Sequence, residues 1–365
     1  MSFNVFIPWG AVSVKDSLKK MEKILYICAS LLALMIALLS FFHVAVPQKE
    51  SYLAFYADSI VSDSENWIAY IFAFLCFGGL VFTFLGWMKT ENGPVKERWK
   101  SFAEDLGRKT SRLPKAVFDL FKLTFPILLN LILFSYVVGY VNAINRHRLI
   151  DSKLASVDFW LTGTYPFLKL ETIRFPAWLI EAVEFSFSNL TVFLVLAAVI
   201  TYLKNKTAFS KYAVAFFASI LMMVPIWLAV PVMSPQDRFI DNVYHIKDPP
   251  RIASELRHFS PVPQVQTFLE EMRRSKEGLD VMPTTTFPSS HAAWATIAFI
   301  FLLEASGAAS IFFAPFLILS TLGTFYLAQH YFVDTPAGIL IGIISAVFVS
   351  FLFREKTGGK YFGAL

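Results

Sequence analysis

The chain has 365 residues, of which 56% are hydrophobic and only 16% charged, with a formal net charge of +5. That balance lies outside the range of a soluble domain, and the apolar residues gather into runs of about 18 to 25, the length a helix needs to cross a bilayer. The reading is an all-α integral membrane protein. It excludes nucleic acid as the meaning of the basic excess, because Lys and Arg in such chains mark cytoplasmic loops, and the two cysteines, Cys28 and Cys76, both lie inside apolar runs, which excludes a disulfide framework.

Taken in chain order, the apolar runs predict about eight transmembrane helices. The first covers 24–46, behind Lys15, Lys19, Lys20 and Lys23, and reads as a retained helix because no small-residue cleavage pattern follows it. An acidic loop with Glu50, Asp58, Asp63 and Glu65 leads to the second, 67–88. The densest basic stretch, Lys89 to Lys115, belongs in the cytoplasm; within it Trp99, Phe102 and Leu106 recur at near-helical spacing, as on a membrane-surface helix or beside a solvated charged face. The third span is 120–144.

An outer segment, 146–182, follows, in which Trp160, Tyr165, Phe167, Phe175 and Trp178 are expected as interfacial anchors. The fourth and fifth spans are 183–203 and 212–232, and a long outer loop, 233–287, separates them from the last three, at 289–304, 308–329 and 335–353. In that loop Pro263 starts a helix with Val265, Phe268, Leu269 and Met272 on one face, ended by Gly278. Its apolar face suits the bilayer or the cover of a lipid entrance, or else a packed core. Arg354, Lys356 and Lys360 place the C-terminus inside, so both termini are cytoplasmic. The organisation expected is a two-helix membrane segment with a basic linker over 1–119 and a six-helix membrane domain over 120–365.

Two polar interruptions carry the chemistry. Pro288-Ser289-Ser290-His291 opens the sixth span, and His330-Tyr331-Phe332-Val333-Asp334 joins the seventh to the eighth. The topology brings both to the outer face. A neutral imidazole attacks phosphorus well when its other ring nitrogen donates to a carboxylate, and Asp334 lies four residues from His330, within reach if the backbone between is tightly turned. His291 is then a candidate to protonate the leaving oxygen. Ser289, Ser290 and the free N–H groups of a helix start suit phosphate oxygens. Each also has a structural reading: the serines as N-caps, Asp334 as a cap, a lone boundary histidine as an interfacial residue. His245 and His258 read as loop residues, because no metal-ligand spacing accompanies them, and His43 and His147 as interfacial.

These residues resemble the type 2 phosphatidic acid phosphatase superfamily, whose motifs centre on P-S-x-H and H-x-x-x-D at the outer ends of membrane helices. The resemblance covers the third to eighth spans and implies a six-helix core with two additional N-terminal helices. It implies that His330 forms a phosphohistidine, that Asp334 orients it and that His291 acts as acid and then base, with no metal or cofactor. F-P-S-x-H, H-Y-F-V-D and the run Asp158 to Pro166 are most similar to the branch of inositol phosphorylceramide synthases and related phosphotransferases. Two departures stand out: Thr324 occupies the place of the phosphatase branch's arginine, six residues before His330, and the Lys-x6-Arg-Pro motif is absent. Arg238, just after the fifth span, is the first candidate to meet the phosphate charge, with Lys247 and Arg251 (and Arg257) in reserve.

The implied function is cleavage of a lipid phosphate or phosphodiester at the outer face. Water, or a lipid alcohol acceptor, takes the group. A polytopic transporter or scaffold is the alternative from another class, since intramembrane ionisable groups often line transport routes. A vanadium-dependent haloperoxidase, from the same superfamily, is a remote third.

Overall fold

The apolar runs become helices because a lipid-embedded backbone must satisfy its own N–H and C=O groups. The structure, a computed structural model, describes residues 14–41, 113–277 and 282–354. The expected second span, the basic linker with Trp99, Phe102 and Leu106, His43, Cys76, Gly278 and the lysines after Arg354 lie outside the described residues. Internal contacts divide the chain into two units, residues 1–52 with 130–365, and residues 53–129. The elements below belong to the first, save residues 113–129 of the second long helix.

Among the described residues five helices are long and apolar enough to cross a membrane: α1 (Val14–Phe41), α2 (Leu113–Asn145, apolar from Phe121), α7 (Lys206–Ala229), α11 (Gly307–Tyr326) and α12 (Asp334–Leu352). The protein is an all-α, multi-pass membrane protein. Where one continuous fourth span was expected, α5 (Ala177–Ser188) and α6 (Leu190–Lys204) meet at an angle of 65°; they pass the same length and composition test only as a pair. The break falls at Asn189, whose side-chain Nδ2 donates to the Phe185 carbonyl (2.9 Å), a local bond that competes with the helical ladder. The sixth expected span is α10 (Ser290–Ala305), apolar but only 16 residues long.

Side chains set the helix starts. Asn205 Oδ1 accepts from the N–H groups of Thr207 and Ala208 (3.0 and 3.1 Å) to begin α7, and Ser306 Oγ accepts from Ala309 (3.4 Å) to begin α11. α10 is the central helix: it packs on α6, α7, α11 and α12, while α1 lies along α7. Inside this bundle the helices are tied by polar groups that have no water to turn to, such as Asn130 Nδ2 to Leu25 O and Asn145 Nδ2 to Trp227 O, both 2.8 Å.

A second layer caps the bundle's end. It comprises α3 (Asp151–Thr162), α4 (Pro166–Lys169) with a 3-10 turn (Leu170–Thr172), a π-helical turn (Gln236–Ile240), α8 (Pro250–Leu256) and α9 (Pro263–Ser275). Gly163 closes α3 in the left-handed region, φ 72°, where a side chain would strain the backbone. One apolar cluster joins the layer to the bundle, including Phe167, Phe187, Phe239, Val265, Phe268, Leu269, Tyr326 and Tyr331.

Two expectations change here. The apolar face of α9 does not rest on lipid: Val265, Phe268 and Leu269 are buried in this cluster, with Phe268 edge-on to Phe187 of α5. The same burial claims Tyr165 and Phe167, which were expected at the interface, while Trp160 and Trp178 are 81% and 68% exposed. Aromatic residues in an amphipathic layer serve both purposes, and only their neighbours decide which.

Candidate active site

The two polar motifs are built on a short parallel pairing of backbone. Val232 N–H donates to the Thr284 carbonyl (3.1 Å), and Thr286 returns its N–H (3.1 Å) and its hydroxyl (2.6 Å) to the Val232 carbonyl. Asn142 Oδ1 receives the Thr284 N–H and hydroxyl (2.8 and 3.1 Å), anchoring the segment to α2. Five residues on, α10 begins, with Ser289 as N-cap accepting from the Ala292 N–H (3.3 Å).

Close crossing of α10 and α12 brings the motifs together. A Cβ at Gly338 would stand 2.2 Å from the Ser289 carbonyl oxygen, and one at Gly342 would stand 2.6 Å from that of Ala293. Only glycine lets the backbones approach this far. At the top of the crossing Ser289 N–H donates to the Asp334 carbonyl (3.1 Å). Sequence reasoning missed the glycines, although G-x-x-x-G within an apolar helix is the signal for such an approach.

His330 sits in the turn between α11 and α12, and its N–H donates to the Thr324 carbonyl (2.8 Å). Its Nδ1 is 3.0 Å from the Thr286 carbonyl, a pure acceptor, so Nδ1 carries the proton and Nε2 the lone pair. Nε2 faces Ser289 Oγ at 3.3 Å. Burial, joined by the nearby His291 and Lys276 and opposed by the Thr286 carbonyl, pushes the His330 pKa down to about 3, so the ring is neutral at physiological pH. The His291 ring lies 5.9 Å from that of His330, centroid to centroid, stacked on Phe187 at 4.7 Å, and it has no hydrogen bond among the described residues.

Asp334, fully buried, stands beside the nucleophile candidate without being its nearest acceptor. Its Oδ2 is 3.4 Å from His330 Nδ1 and accepts the Tyr331 N–H at 2.9 Å, while Oδ1 has no partner among the described residues. The Nδ1 hydrogen expected for Asp334 thus points to the Thr286 carbonyl, with the carboxylate alongside.

Two further buried carboxylates hold this turn, and spacing alone did not reveal their role. Asp158 of α3 accepts from Phe332 N–H (2.8 Å) and Val333 N–H (3.0 Å). Asp151 accepts from Met233 N–H (2.8 Å) and the Tyr331 hydroxyl (3.3 Å). Desolvation raises both to about 6, against the backbone bonds that lower them. Asp158 heads the run singled out from the sequence; its partners were invisible there because they are backbone groups about 174 residues away.

The candidate phosphate-binding cations are dispersed. Arg238 is buried in an ion pair with Asp248 (2.7 Å) and stacks on Phe239 at 4.6 Å. Arg251 lies exposed over the Phe159 ring at 3.5 Å, and Lys247 is exposed. Ser290 borders the site at the first residue of α10. Lys276 was missed: its ammonium is buried against both oxygens of Asp237 at 2.9 Å, and its charge is felt at His330. Asp237 adjoins Gln236, which binds Gln329 (2.7 Å), the neighbour of His330. Thr324, in the place of the phosphatase branch's arginine, is fully buried and bonds Thr335 Oγ1 (2.9 Å) and the Thr321 carbonyl (2.7 Å).

Fold and site together define a multi-pass helical membrane protein with two histidines and a carboxylate gathered where one helix pair crosses a glycine contact. A family model described as the PAP2 superfamily matches residues 152–348, more than half of the chain and including both motifs. The chain belongs to that superfamily and is an enzyme of the lipid-phosphate phosphatase and phosphotransferase type. No curated protein and no solved structure matches it.

Proposed function

We propose that the protein cleaves a membrane lipid phosphate or phosphodiester through a phosphohistidine at His330. The observation that carries this is the tautomer: Nδ1–H is committed to the Thr286 carbonyl, which leaves the Nε2 lone pair facing Ser289 Oγ at the start of α10. Nε2 attacks phosphorus while Asp334, 3.4 Å from Nδ1, stabilises the cation that develops. His291 protonates the leaving oxygen and afterwards takes the proton of the incoming hydroxyl. Ser289, Ser290 and the N-terminal N–H groups of α10 hold the phosphate oxygens. Of the cations named from the sequence, Arg238 is bound to Asp248 and Arg251 to an aromatic face, and Lys276 is likewise held by Asp237, so the charge on the phosphate falls to the helix start more than to any of them.

The finer reading is headgroup transfer to a lipid alcohol, as in inositol phosphorylceramide synthases, with the site on the outer side and both termini cytoplasmic. Motif wording and the arginine-free Thr324 position support it. The test is incubation of the purified protein with phosphatidic acid, prenyl phosphates and phosphatidylinositol, with and without lipid alcohols. Phosphate release without an acceptor would exclude an obligate transferase, and turnover that survives His330→Ala would refute the catalytic assignment, leaving the transporter or scaffold reading.

A further inference from the structure

One buried ionisable group has no part in the chemistry above. Glu171, in the 3-10 turn after α4, is 0% exposed, and neither carboxylate oxygen has a hydrogen-bond partner among the described residues. Tyr326, at the end of α11, is 6% exposed and its hydroxyl is likewise unpaired. α4 packs on α11, and the two groups lie within electrostatic reach of one another without bonding. An apolar residue at either place would avoid the cost of an orphaned polar group, so two such orphans within electrostatic reach of one another call for a ligand. Burial holds Glu171 well above the usual carboxylate range, leaving a neutral acid with one donor and spare acceptors. An acid and a phenol so placed match a hydroxyl, which both donates and accepts.

The last turn of α11 connects this pair to the histidines. Gly323 lies against Phe187, the ring on which His291 stacks, and the next carbonyl, that of Thr324, receives the His330 N–H. Tyr326 is three residues from Gly323, within about one helical pitch of 5.4 Å.

We propose that Glu171 and Tyr326 bind the hydroxyl-bearing molecule that accepts the phosphorus group from His330, an alcohol or water. This rests on the phosphohistidine reading. In the step it serves, the acceptor oxygen forms a bond to phosphorus, the P–N bond breaks with its electron pair returning to His330 Nε2, and the acceptor proton passes to His291. Glu171 and Tyr326 exchange no proton in it; they position the acceptor.

The experiment measures how the group partitions between alcohol and water. Full-length protein in detergent receives phosphatidic acid, a prenyl phosphate or phosphatidylinositol as donor, with diacylglycerol, short-chain ceramide or glycerol as acceptor. For an alcohol ligand, Glu171→Leu and Tyr326→Phe each raise the acceptor KM about tenfold or more and shift product toward water-derived phosphate. For bound water, phosphate release falls and alcohol transfer is spared. In either case Glu171→Leu keeps or raises the thermal midpoint, because it removes an unpaired acid from the core. Unchanged rates and partition in both variants overturn the proposal, as does an equal loss of kcat toward water and alcohol accompanied by a lower midpoint. Tyr326→Phe, which removes one oxygen, decides the matter if Glu171→Leu fails to fold. A wild-type protein that turns over no donor, or turnover that survives His330→Ala, overturns the functional reading and this inference with it.

Discussion

Replacing Asp158 by Asn keeps the shape of the side chain and removes one of its two acceptors. In the structure the carboxylate oxygens accept separately, Oδ2 from Phe332 N–H at 2.8 Å and Oδ1 from Val333 N–H at 3.0 Å. An amide retains one bond and sets an N–H against the other N–H. The loss of a bond to a charged acceptor is worth about 1.5–3 kcal/mol, and the backbone donor left behind is partly buried. Because Phe332 and Val333 lie between His330 and Asp334, the change displaces His330, the proposed nucleophile. A misplacement of about 1 Å costs about 100-fold in rate. The expected result is a kcat about 100-fold lower on whichever donor the wild type cleaves best, with KM within about threefold, since Asp158 bonds to the His330 turn and not to the groups proposed to hold the phosphate. Turnover and thermal unfolding in detergent micelles check both parts. A variant with wild-type kcat and midpoint would show that the two backbone bonds do not position His330, and the reasoning would fail.

Gly338→Ala places a methyl 2.2 Å from the Ser289 carbonyl, which is backbone and cannot rotate away; separation of α10 from α12 should cost about 1–3 kcal/mol and abolish activity, read as a lower thermal midpoint with loss of turnover. Thr324→Arg should fail to restore a phosphatase-like site, because Thr324 is fully buried and bonded to Thr335 and Thr321; the expected outcome is a destabilised, inactive protein in the same assays. The depressed His330 pKa, about 3 against an ordinary 6.5, means the unfolded chain binds the extra proton between those values. Its contribution to stability is therefore present above pH 6.5 and lost as pH falls toward 3, so the gap in thermal midpoint between the wild type and His330→Asn should move against the wild type on acidification. Asp151 and Asp158, raised to about 6, act in the opposite sense between their ordinary 3.8 and 6, and they are common to both proteins. Their protonation should also weaken the anchoring of the His330 turn, so kcat/KM is expected to fall below about pH 6, less steeply in Asp158→Asn.

How much of this was legible depends on which groups carry the interaction. The spans at α2, α7, α11 and α12 follow from apolar length alone, because in lipid a helix is what satisfies such a backbone. His291, His330 and Asp334 stood out for the same reason, as ionisable groups beside hydrocarbon. The bend at Asn189 and the burial of Tyr165, Phe167 and Phe268 did not, since a polar or aromatic residue reads alike in a span, at an interface or in a core.

Hydrophobicity and the spacing of polar interruptions thus determined by themselves that this is a helical membrane protein with a two-histidine, one-carboxylate motif pair. Those are local properties, decided within a span or a turn. The tertiary structure alone decided which partner each group received: the Thr286 carbonyl rather than Asp334 for His330 Nδ1, backbone N–H groups for Asp158, Asp248 for Arg238, and, among the described residues, none for the Glu171 carboxylate. Backbone carbonyls and amides are the same at every residue, so no sequence pattern marks the one that a buried side chain will find.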